Sequence, residues 1–409
     1  MRAILTVLHR YAGLLIAVFL FISGATGAVI SWDHELDDLL NPQLMQAQTL
    51  GTPFSPLQLA KAVAHKYPRA RVTSVPLVRE PGKSLHFGVE PRVDPVTGEL
   101  YPLGFNEVFL DPVTGDELGR REWGAAWPIT AQNFVSFLYV LHYSLHIPAM
   151  WGIDRWGMWL MGAIAIIWML DSGVGFALTL PVRKKMPGSV GWWSRWRPAW
   201  MIKSSTSAFR LNFDIHRAFG LWTWGLLFIL AFTAFSLNLY REVFYPVMSI
   251  VSKVTPTPFD TRPPMPMNKP VEAKIAYATV VMAATQEGQR RGWHVPPGGV
   301  FYSSPWGIYG VRFYHPGEEE GAAGVGPASL YYDGQTGKLL GETQPWKGTA
   351  ADIFVQAQFP LHSGRILGLP GRILISLMGL VVAVLSVTGV VIWERKRRGR
   401  RRRTSGPGR

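Results

Sequence analysis

The sequence contains no cysteine among its 409 residues. Disulfide frameworks, zinc–thiolate sites and iron–sulfur clusters are therefore excluded, and the composition suits an oxidising exterior. A Walker A sequence, a G-x-G-x-x-G fingerprint and a visible flavin domain are also missing. Neither nucleotide-driven transport nor direct oxidation of a nicotinamide is supported.

Charged side chains are almost absent from four long stretches. These are residues 11–32, 156–182, 218–240 and 373–393, with Asp171 as the single acid among them. Each stretch is long enough to cross a hydrocarbon core of about 30 Å as a helix. We interpret the first as a retained helix rather than a cleaved signal peptide, because it is long and its sequence is echoed in the third stretch. Four membrane spans are expected.

Basic residues are concentrated in two segments beside these spans. The linker 183–217 carries eight Lys or Arg against Asp214 alone, and the tail 394–409 carries nine against Glu394. An excess of Lys and Arg marks the cytoplasmic side of a membrane. Both termini are therefore expected inside and the two large polar segments outside. The net charge of +14 is explained by topology, and no nucleic-acid partner is expected.

One pattern occurs twice along the chain. A His-Arg-x-x-Gly-Leu segment opens an apolar helix, a long polar segment follows, and Phe and Leu-His precede another apolar helix. The residues concerned are His9, Arg10, Gly13, Phe134 and His142 in the first half, and His216, Arg217, Gly220, Phe354 and His362 in the second. His9 and His216 are 207 residues apart, as are the two glycines, whereas His142 and His362 are 220 apart, as are the two phenylalanines.

The four recurring histidines form two symmetry-related pairs. Histidine is the commonest axial ligand of a b-type haem, and two histidines from different helices leave no open iron position, which favours electron transfer. His9 and His216 lie at the cytoplasmic entries of their helices, so they are expected to ligate one haem near the inner face. His142 and His362 lie near the external entries and are expected to ligate a second. The sequence thus predicts two b-type haems on a two-step electron path.

Four further residues admit more than one interpretation. His146, four residues beyond His142 and hence on the same helical face, is an alternate ligand or a contact to a haem propionate. Arg10 and Arg217 pair with propionates or snorkel to lipid phosphate, and these readings weigh equally. Asp171 marks a proton path or makes a hydrogen bond to Ser or Thr between helices.

The external segments, 33–130 and 246–352, have the pattern of small α+β modules. Helices are expected around Pro56–Tyr67 and Val271–Arg291, and strands at Glu107–Leu110 and Ser329–Tyr332. Three turns share an Asp at the start and a Gly that supplies positive φ: Asp94–Gly98, Asp111–Gly115 and Asp333–Gly337.

These Asp-x-x-Thr-Gly turns, the two histidine motifs and the Thr-Gly-x-x-Ile-Trp exit at Thr388–Trp393 together resemble the PepSY-associated transmembrane family, over essentially the whole chain except the tail. That family includes iron-regulated proteins of the bacterial inner membrane and siderophore-iron reductases such as ferrioxamine reductase. The resemblance implies two b-type haems and reduction of ferric siderophores outside the membrane. The chain departs from the family pattern at Phe232-Thr-Ala-Phe235, where Thr-Gly is usual, and at Asp171-Ser172-Gly173.

The expected fold is a membrane α-helical bundle of four transmembrane helices in two parallel repeats, with two external α+β PepSY-like domains. The predicted boundaries are 1–32 for helix 1, 33–130 for external domain 1, 131–182 for a His-bearing helix and helix 2, 183–215 for a cytoplasmic linker, 216–245 for helix 3, 246–352 for external domain 2, 353–393 for a His-bearing segment and helix 4, and 394–409 for a cytoplasmic tail.

Two functions of different class fit this sequence. The first is an oxidoreductase in the lipid bilayer that reduces an external ferric chelate, expected to be a ferric siderophore, with electrons from a separate cytoplasmic reductase or from quinol. The second is a non-redox membrane scaffold whose external domains bind peptide or protease partners in the envelope. Matched histidines at two levels of the bilayer favour the first, because a scaffold has no use for them. No catalytic residue is assigned.

Overall fold

The computed structural model describes residues 1–47, 51–182 and 191–404, without the side chains of 402–404. Parts of three predicted regions therefore lie outside the described residues. They are 48–50 of external domain 1, 183–190 of the linker and 405–409 of the tail.

The described helices and strands follow one another in two similar series. The helices are α1 Arg2–Ile30, α2 Asp33–Leu40, α3 Pro42–Met45, α4 Pro56–Lys66, α5 Phe134–Ser144, α6 Trp156–Thr179, α7 Trp192–Trp196, α8 Ala208–Trp222, α9 Trp224–Asn238, α10 Tyr245–Val251, α11 Pro258–Thr261, α12 Tyr277–Arg290, α13 Ala350–Gln356, α14 Gln358–Ser363 and α15 Gly368–Thr404. The strands are β1 Ala70–Pro76, β2 Leu85–Pro91, β3 Glu107–Leu110, β4 Glu117–Arg121, β5 Pro297–Ser303, β6 Ile308–Phe313, β7 Ala328–Asp333 and β8 Leu339–Thr343.

These elements form two compact units. The helical unit contains Met1–Trp32, Leu138–Val247 and Gln358–Arg409, and the sheet unit contains Asp33–Phe137 and Met248–Ala357. Each unit therefore takes segments from both halves of the chain.

Within the described residues of the helical unit, α1, α6 and α15 are each long and apolar enough to cross a membrane. Helices α8 and α9 pass the same test only as a pair, and they are bent by 70° at Thr223, which has φ −105° and ψ 6°. The predicted third span is therefore bent, and the described residues contain three such helices, or four if the bent pair is counted as one span. The Thr223 hydroxyl donates to the Phe219 carbonyl oxygen at 2.7 Å, and such bonding back to the preceding turn often bends helices.

Small residues set the packing of α1 on α15. A Cβ at Gly24 would lie 2.6 Å from the Gly379 carbonyl oxygen, and a Cβ at Gly379 would lie 2.5 Å from the Gly24 carbonyl oxygen. The two backbones cross in van der Waals contact there, as is common where small residues meet in membrane helices. A buried cluster of Leu227, Leu230, Met378 and Val382 packs α9 against α15.

The sheet unit contains one antiparallel sheet of eight strands in the order β4-β3-β2-β1-β5-β6-β7-β8. Each half of the chain supplies four consecutive strands, and the halves join through β1 and β5, where Val75 pairs with Val300. The two segments predicted as separate modules thus share a continuous sheet. Their core includes α4 and α12 and is formed by alternate strand residues, among them Val75, Phe87, Val108, Val300, Val311 and Leu330.

The expected local elements of the sheet unit are confirmed. The helix predicted around Pro56–Tyr67 spans Pro56–Lys66, the later one is shorter at Tyr277–Arg290, and strand Glu107–Leu110 has the predicted bounds. The glycines of the three turns, Gly98, Gly115 and Gly337, have φ values of 73°, 77° and 73°. Their conformation is the left-handed one that glycine adopts without strain.

Candidate functional site

The first pair of histidines comes from α1 and α8. The ring centroids of His9 and His216 are 6.3 Å apart, and the ring planes are inclined at 56°. Each half of the chain therefore contributes one ring to this pair.

The second pair comes from α5 and α14. The ring centroids of His142 and His362 are 6.1 Å apart, with an inclination of 59°. Thr26, which contacts His142, follows His9 by 17 residues on the same continuous helix. At a rise of about 1.5 Å per residue, the two pairs lie roughly 25 Å apart along α1.

Each ring is held through its Nδ1 atom by a side chain of a neighbouring helix. Three partners are threonine hydroxyls and the fourth is a carboxyl group: Thr26 for His142 at 3.1 Å, Thr388 for His216 at 3.0 Å, Thr233 for His362 at 2.9 Å, and Asp171 Oδ1 for His9 at 2.9 Å. Sequence reasoning missed the three threonines as partners. The available signal was that Thr26 and Thr233 have the same 207-residue offset as His9 and His216.

The threonine partners indicate which ring nitrogen carries the proton. The hydroxyl of Thr26 donates its own proton to the Ile22 carbonyl oxygen at 2.7 Å, so its oxygen accepts from the His142 Nδ1–H. Thr388 and Thr233 are arranged in the same way. With the proton on Nδ1, the Nε2 lone pair is available to a metal, and a hydrogen bond of this kind is what normally orients a ligating histidine.

Glycines make room for three of the rings. A Cβ at Gly27 would lie 2.9 Å from His142 Cε1, one at Gly175 3.2 Å from His9 Cε1, and one at Gly389 3.3 Å from His216 Cε1. These distances are shorter than an ordinary van der Waals contact. At the position of the fourth ring the chain has Ala234 after Thr233, which is the departure from Thr-Gly noted in the sequence.

The donor set of each pair fits a haem. A metal–imidazole bond is about 2.0 Å long, and the centre of the imidazole ring lies about 1 Å beyond its nitrogen. Two histidines that ligate one haem iron from opposite sides would therefore have ring centroids about 6 Å apart. Both observed separations agree with that spacing. Within the described ranges, no group of three or more His, Cys, Asp or Glu side chains is arranged to hold a bare metal ion. Two protein ligands suffice where a porphyrin supplies the others.

Other predicted residues lie elsewhere. Helix α5 ends at Ser144 and His146 has a positive φ of 51°, so the prediction that His146 continues the helical face of His142 is wrong. The ring paired with His362 is that of His142. The half-buried Arg10 lies beside His9 on α1.

Arg217 is engaged within the protein. Its Nη2 donates to Asp214 Oδ1 at 2.8 Å and to the Pro198 carbonyl oxygen at 2.7 Å. Asp214 is fully buried and also pairs with Arg210 at 3.1 Å. The neutralisation of Asp214 is a role for Arg217 that the sequence did not indicate.

The fold and the site define a membrane-associated protein with apolar helices, a separate antiparallel sheet unit and two pairs of facing histidines. The family described as PepSY-associated TM region matches residues 6–396. The chain therefore belongs to the PepSY-associated transmembrane family, as its motifs suggested. A comparison with curated proteins gave no match.

Proposed function

We propose that the protein binds two b-type haems, one at each histidine pair, and carries electrons across the bacterial inner membrane to an external ferric chelate, in particular a ferric siderophore. The observation that carries the proposal is the presence of two facing histidine pairs about 25 Å apart along a membrane helix. Such a haem supplies a one-electron couple with no open iron position.

The chain's own residues supply ligation and orientation. His9 with His216, and His142 with His362, present Nε2 atoms, while the Nδ1 bonds hold the rings in place. The proposal takes both termini as cytoplasmic, which the basic linker and tail support. The His9–His216 pair is then the inner site and the His142–His362 pair the outer site.

The electron balance of the proposed reaction is simple. Each ferric ion takes one electron and becomes ferrous. A quinol releases two electrons and two protons and therefore serves two ferric ions; a cytoplasmic reductase is the other class of donor. Reduction weakens the hold of hard oxygen ligands on the iron, because the ferrous ion is softer and less charged.

The test is an optical spectrum followed by anaerobic reoxidation. Protein purified in detergent from haem-replete cells should show low-spin bis-histidine b-type haem, about two per chain. After reduction with dithionite, a ferric hydroxamate should reoxidise it without oxygen, and in vesicles only chelate on the side of the sheet-forming segments should be effective. A folded but colourless preparation would reject the proposal and favour a scaffold that binds peptide or protease partners. Unchanged haem absorbance with several ferric chelates would reject the siderophore as acceptor.

A further inference from the structure

One of the four histidines is held differently from the others. His142, His216 and His362 each have a threonine hydroxyl at Nδ1, whereas His9 has Asp171 Oδ1 at 2.9 Å. Thr388 and Asp171 hold the two rings of the same pair, from α15 and α6 respectively. The His9–His216 pair is thus asymmetric, and the His142–His362 pair has a hydroxyl on both sides.

The threonine hydroxyls are neutral acceptors. Each hydroxyl donates its proton to the carbonyl four residues earlier, at 2.7 to 2.8 Å. His142 Nδ1 is also 3.0 Å from the Ser23 carbonyl oxygen, so its proton is shared between two neutral acceptors. A neutral acceptor withdraws the ring proton only weakly.

Asp171 is a stronger acceptor in a shielded place. Its side chain is 9% exposed and lies in the apolar helix α6, and its contact with the His9 ring spans 162 residues of sequence. The sequence suggested a proton path or a bond to Ser or Thr for this acid; its described partner is a histidine ring. Carboxylate, histidine and metal in series form a recurrent arrangement in which the carboxylate raises the basicity of the ligand.

Two effects of this contact act in the same direction. A more basic Nε2 donates more electron density to iron and stabilises the ferric state over the ferrous state. A shielded negative charge beside the ligand also favours the more positive oxidation state. Both effects lower the reduction potential of the site to which His9 belongs.

We propose that Asp171 is a positioning residue for His9 that makes the His9–His216 site the lower-potential site of the two. Electron transfer from the His9–His216 site to the His142–His362 site is then downhill, and the reverse is disfavoured. This inference rests on the proposed function. With the topology proposed above, the asymmetry directs electrons outward, toward the ferric chelate.

The experiment is a redox titration of the haem-loaded protein, followed by absorbance and electron paramagnetic resonance. The two components are assigned with the His362→Ala variant, which retains only the His9–His216 site. Asp171→Asn keeps the size of the side chain, and Asp171→Thr copies the other three sites. Ser172→Ala is the matched control on the same helix, because the Ser172 hydroxyl donates to the Met169 carbonyl oxygen rather than to a histidine.

The wild-type protein should show the His9–His216 component at the lower potential. Asp171→Asn and Asp171→Thr should raise that component alone and shift the inter-site electron equilibrium about tenfold, which corresponds to 59 mV for a one-electron couple. The resonance of the ferric state should change at this site only, a readout that a packing defect elsewhere would not produce. Asp171→Glu should restore the lower potential in part.

Several results would overturn the inference. The His9–His216 component could be the higher one in the wild type, or the Asn and Thr variants could leave both potentials unchanged. If both variants lose haem at this site, Thr388→Asp decides: it adds a second carboxyl group to the same pair and should lower the same component, and an unchanged potential would count against the inference. A colourless wild-type protein would instead reject the proposed function, so the two failures are distinguishable.

Discussion

The two halves of the chain build the helical unit from the same parts, and each half holds its own two histidines. In the first half Thr26 holds His142 and Asp171 holds His9. In the second half Thr233 holds His362 and Thr388 holds His216. The pairs nevertheless form between halves, because each takes one ring from each.

The sheet unit shows the same relation between halves. Glu107 on β3 pairs in register with Arg121 on β4, and at the corresponding position Ser329 on β7 pairs with Thr343 on β8. In the first half this cross-strand pair is an ion pair at 2.6 Å, and in the second half both residues are neutral hydroxyls. In both units the first half therefore has ionisable side chains where the second half has hydroxyl groups. These are Asp171 against Thr388 in the helical unit, and the Glu107–Arg121 pair against Ser329 and Thr343 in the sheet unit.

This difference teaches how the duplicated plan has diverged. Positions that set the geometry are shared, including the histidines, two of the threonines and the turn glycines. Side chains that set charge differ, since Asp171 holds His9 whereas Thr388 holds His216. The two halves therefore share the same histidine arrangement, and they differ in which residues carry a charge.

The largest predicted effect comes from breaking a pair. His9→Ala and His216→Ala should each reduce the haem content from about two per chain to about one and leave the same residual spectrum, because both remove one ligand of one site. His142→Ala and His362→Ala should leave the other spectrum. The measurement is the haem-to-protein ratio with optical and resonance spectra.

The control for this series is His146→Ala, which should retain both haems because α5 ends before it. If His9→Ala and His142→Ala left the same residual spectrum, these two histidines would ligate the same haem. Each haem would then be bound within one half of the chain, and the pairing between halves would be wrong. Loss of a haem in His146→Ala with both retained in His142→Ala would reassign the outer ligand.

The histidine pairs could be predicted from the sequence because their spacing recurs and their chemistry is distinctive. The long apolar helices followed from the missing charges, apart from the bend in the third, and the turns followed from Asp and Gly at fixed spacing. Each of these signals is either local in the chain or repeated along it. It can therefore be recognised in one sequence without knowledge of tertiary contacts.

What could not be predicted depends on contacts between distant segments. The pairing of β1 with β5, which joins the halves in one sheet, uses backbone groups and has no side-chain signature. The 70° bend at Thr223 occurs without proline. Asp171 and His9 lie on different helices, and the sequence of neither helix indicates the packing that brings the two side chains into contact.

A smaller effect is predicted at the glycines that face the rings. Gly27→Ala would place a Cβ 2.9 Å from His142 Cε1, so the ring must move, and haem retention at that site should weaken about tenfold, as for other changes behind a metal ligand. Gly389→Ala, at 3.3 Å from His216 Cε1, should have a milder effect. The rate of haem transfer to an excess of a haem-scavenging protein measures both.

Two variants complete the comparison of these positions. Gly220→Ala is the control, since its Cβ would meet only Leu385 Cδ2 at 3.9 Å. Ala234→Gly, at the position that corresponds to Gly27 in the second half, should change haem retention little because the second half already accommodates a methyl group there. Equal rates of haem loss for Gly27→Ala and Gly220→Ala would show that the close approach to the ring is unimportant.

The smallest effect on haem content is predicted for the charged pair of the sheet unit. Burial would raise the pKa of Glu107, but the hydrogen bond and charge of His86, together with Arg121, outweigh it and hold the pKa below the usual 4.5. A carboxyl group with a lowered folded-state pKa contributes stability above its unfolded pKa, and this contribution is lost as the pH falls through the folded value.

Glu107→Gln should therefore leave haem content unchanged and weaken hydrogen-exchange protection of β3 and β4 by about 2 kcal/mol at pH 7, because Arg121 is 6% exposed and loses one of its two carboxylate partners. Its bidentate pair with Asp37 and its bond to the Gln132 carbonyl oxygen remain. The difference from wild type should shrink as the pH is lowered from about 4.5, once intrinsic exchange rates are corrected for pH. Ser329→Ala, at the corresponding position of the second half, should alter hydrogen-exchange protection of β7 and β8 only slightly. The size of this change should be the same at pH 7 as below about pH 4.5. A pH-independent difference for Glu107→Gln would mean that the ion pair does not distinguish the two halves of the sheet.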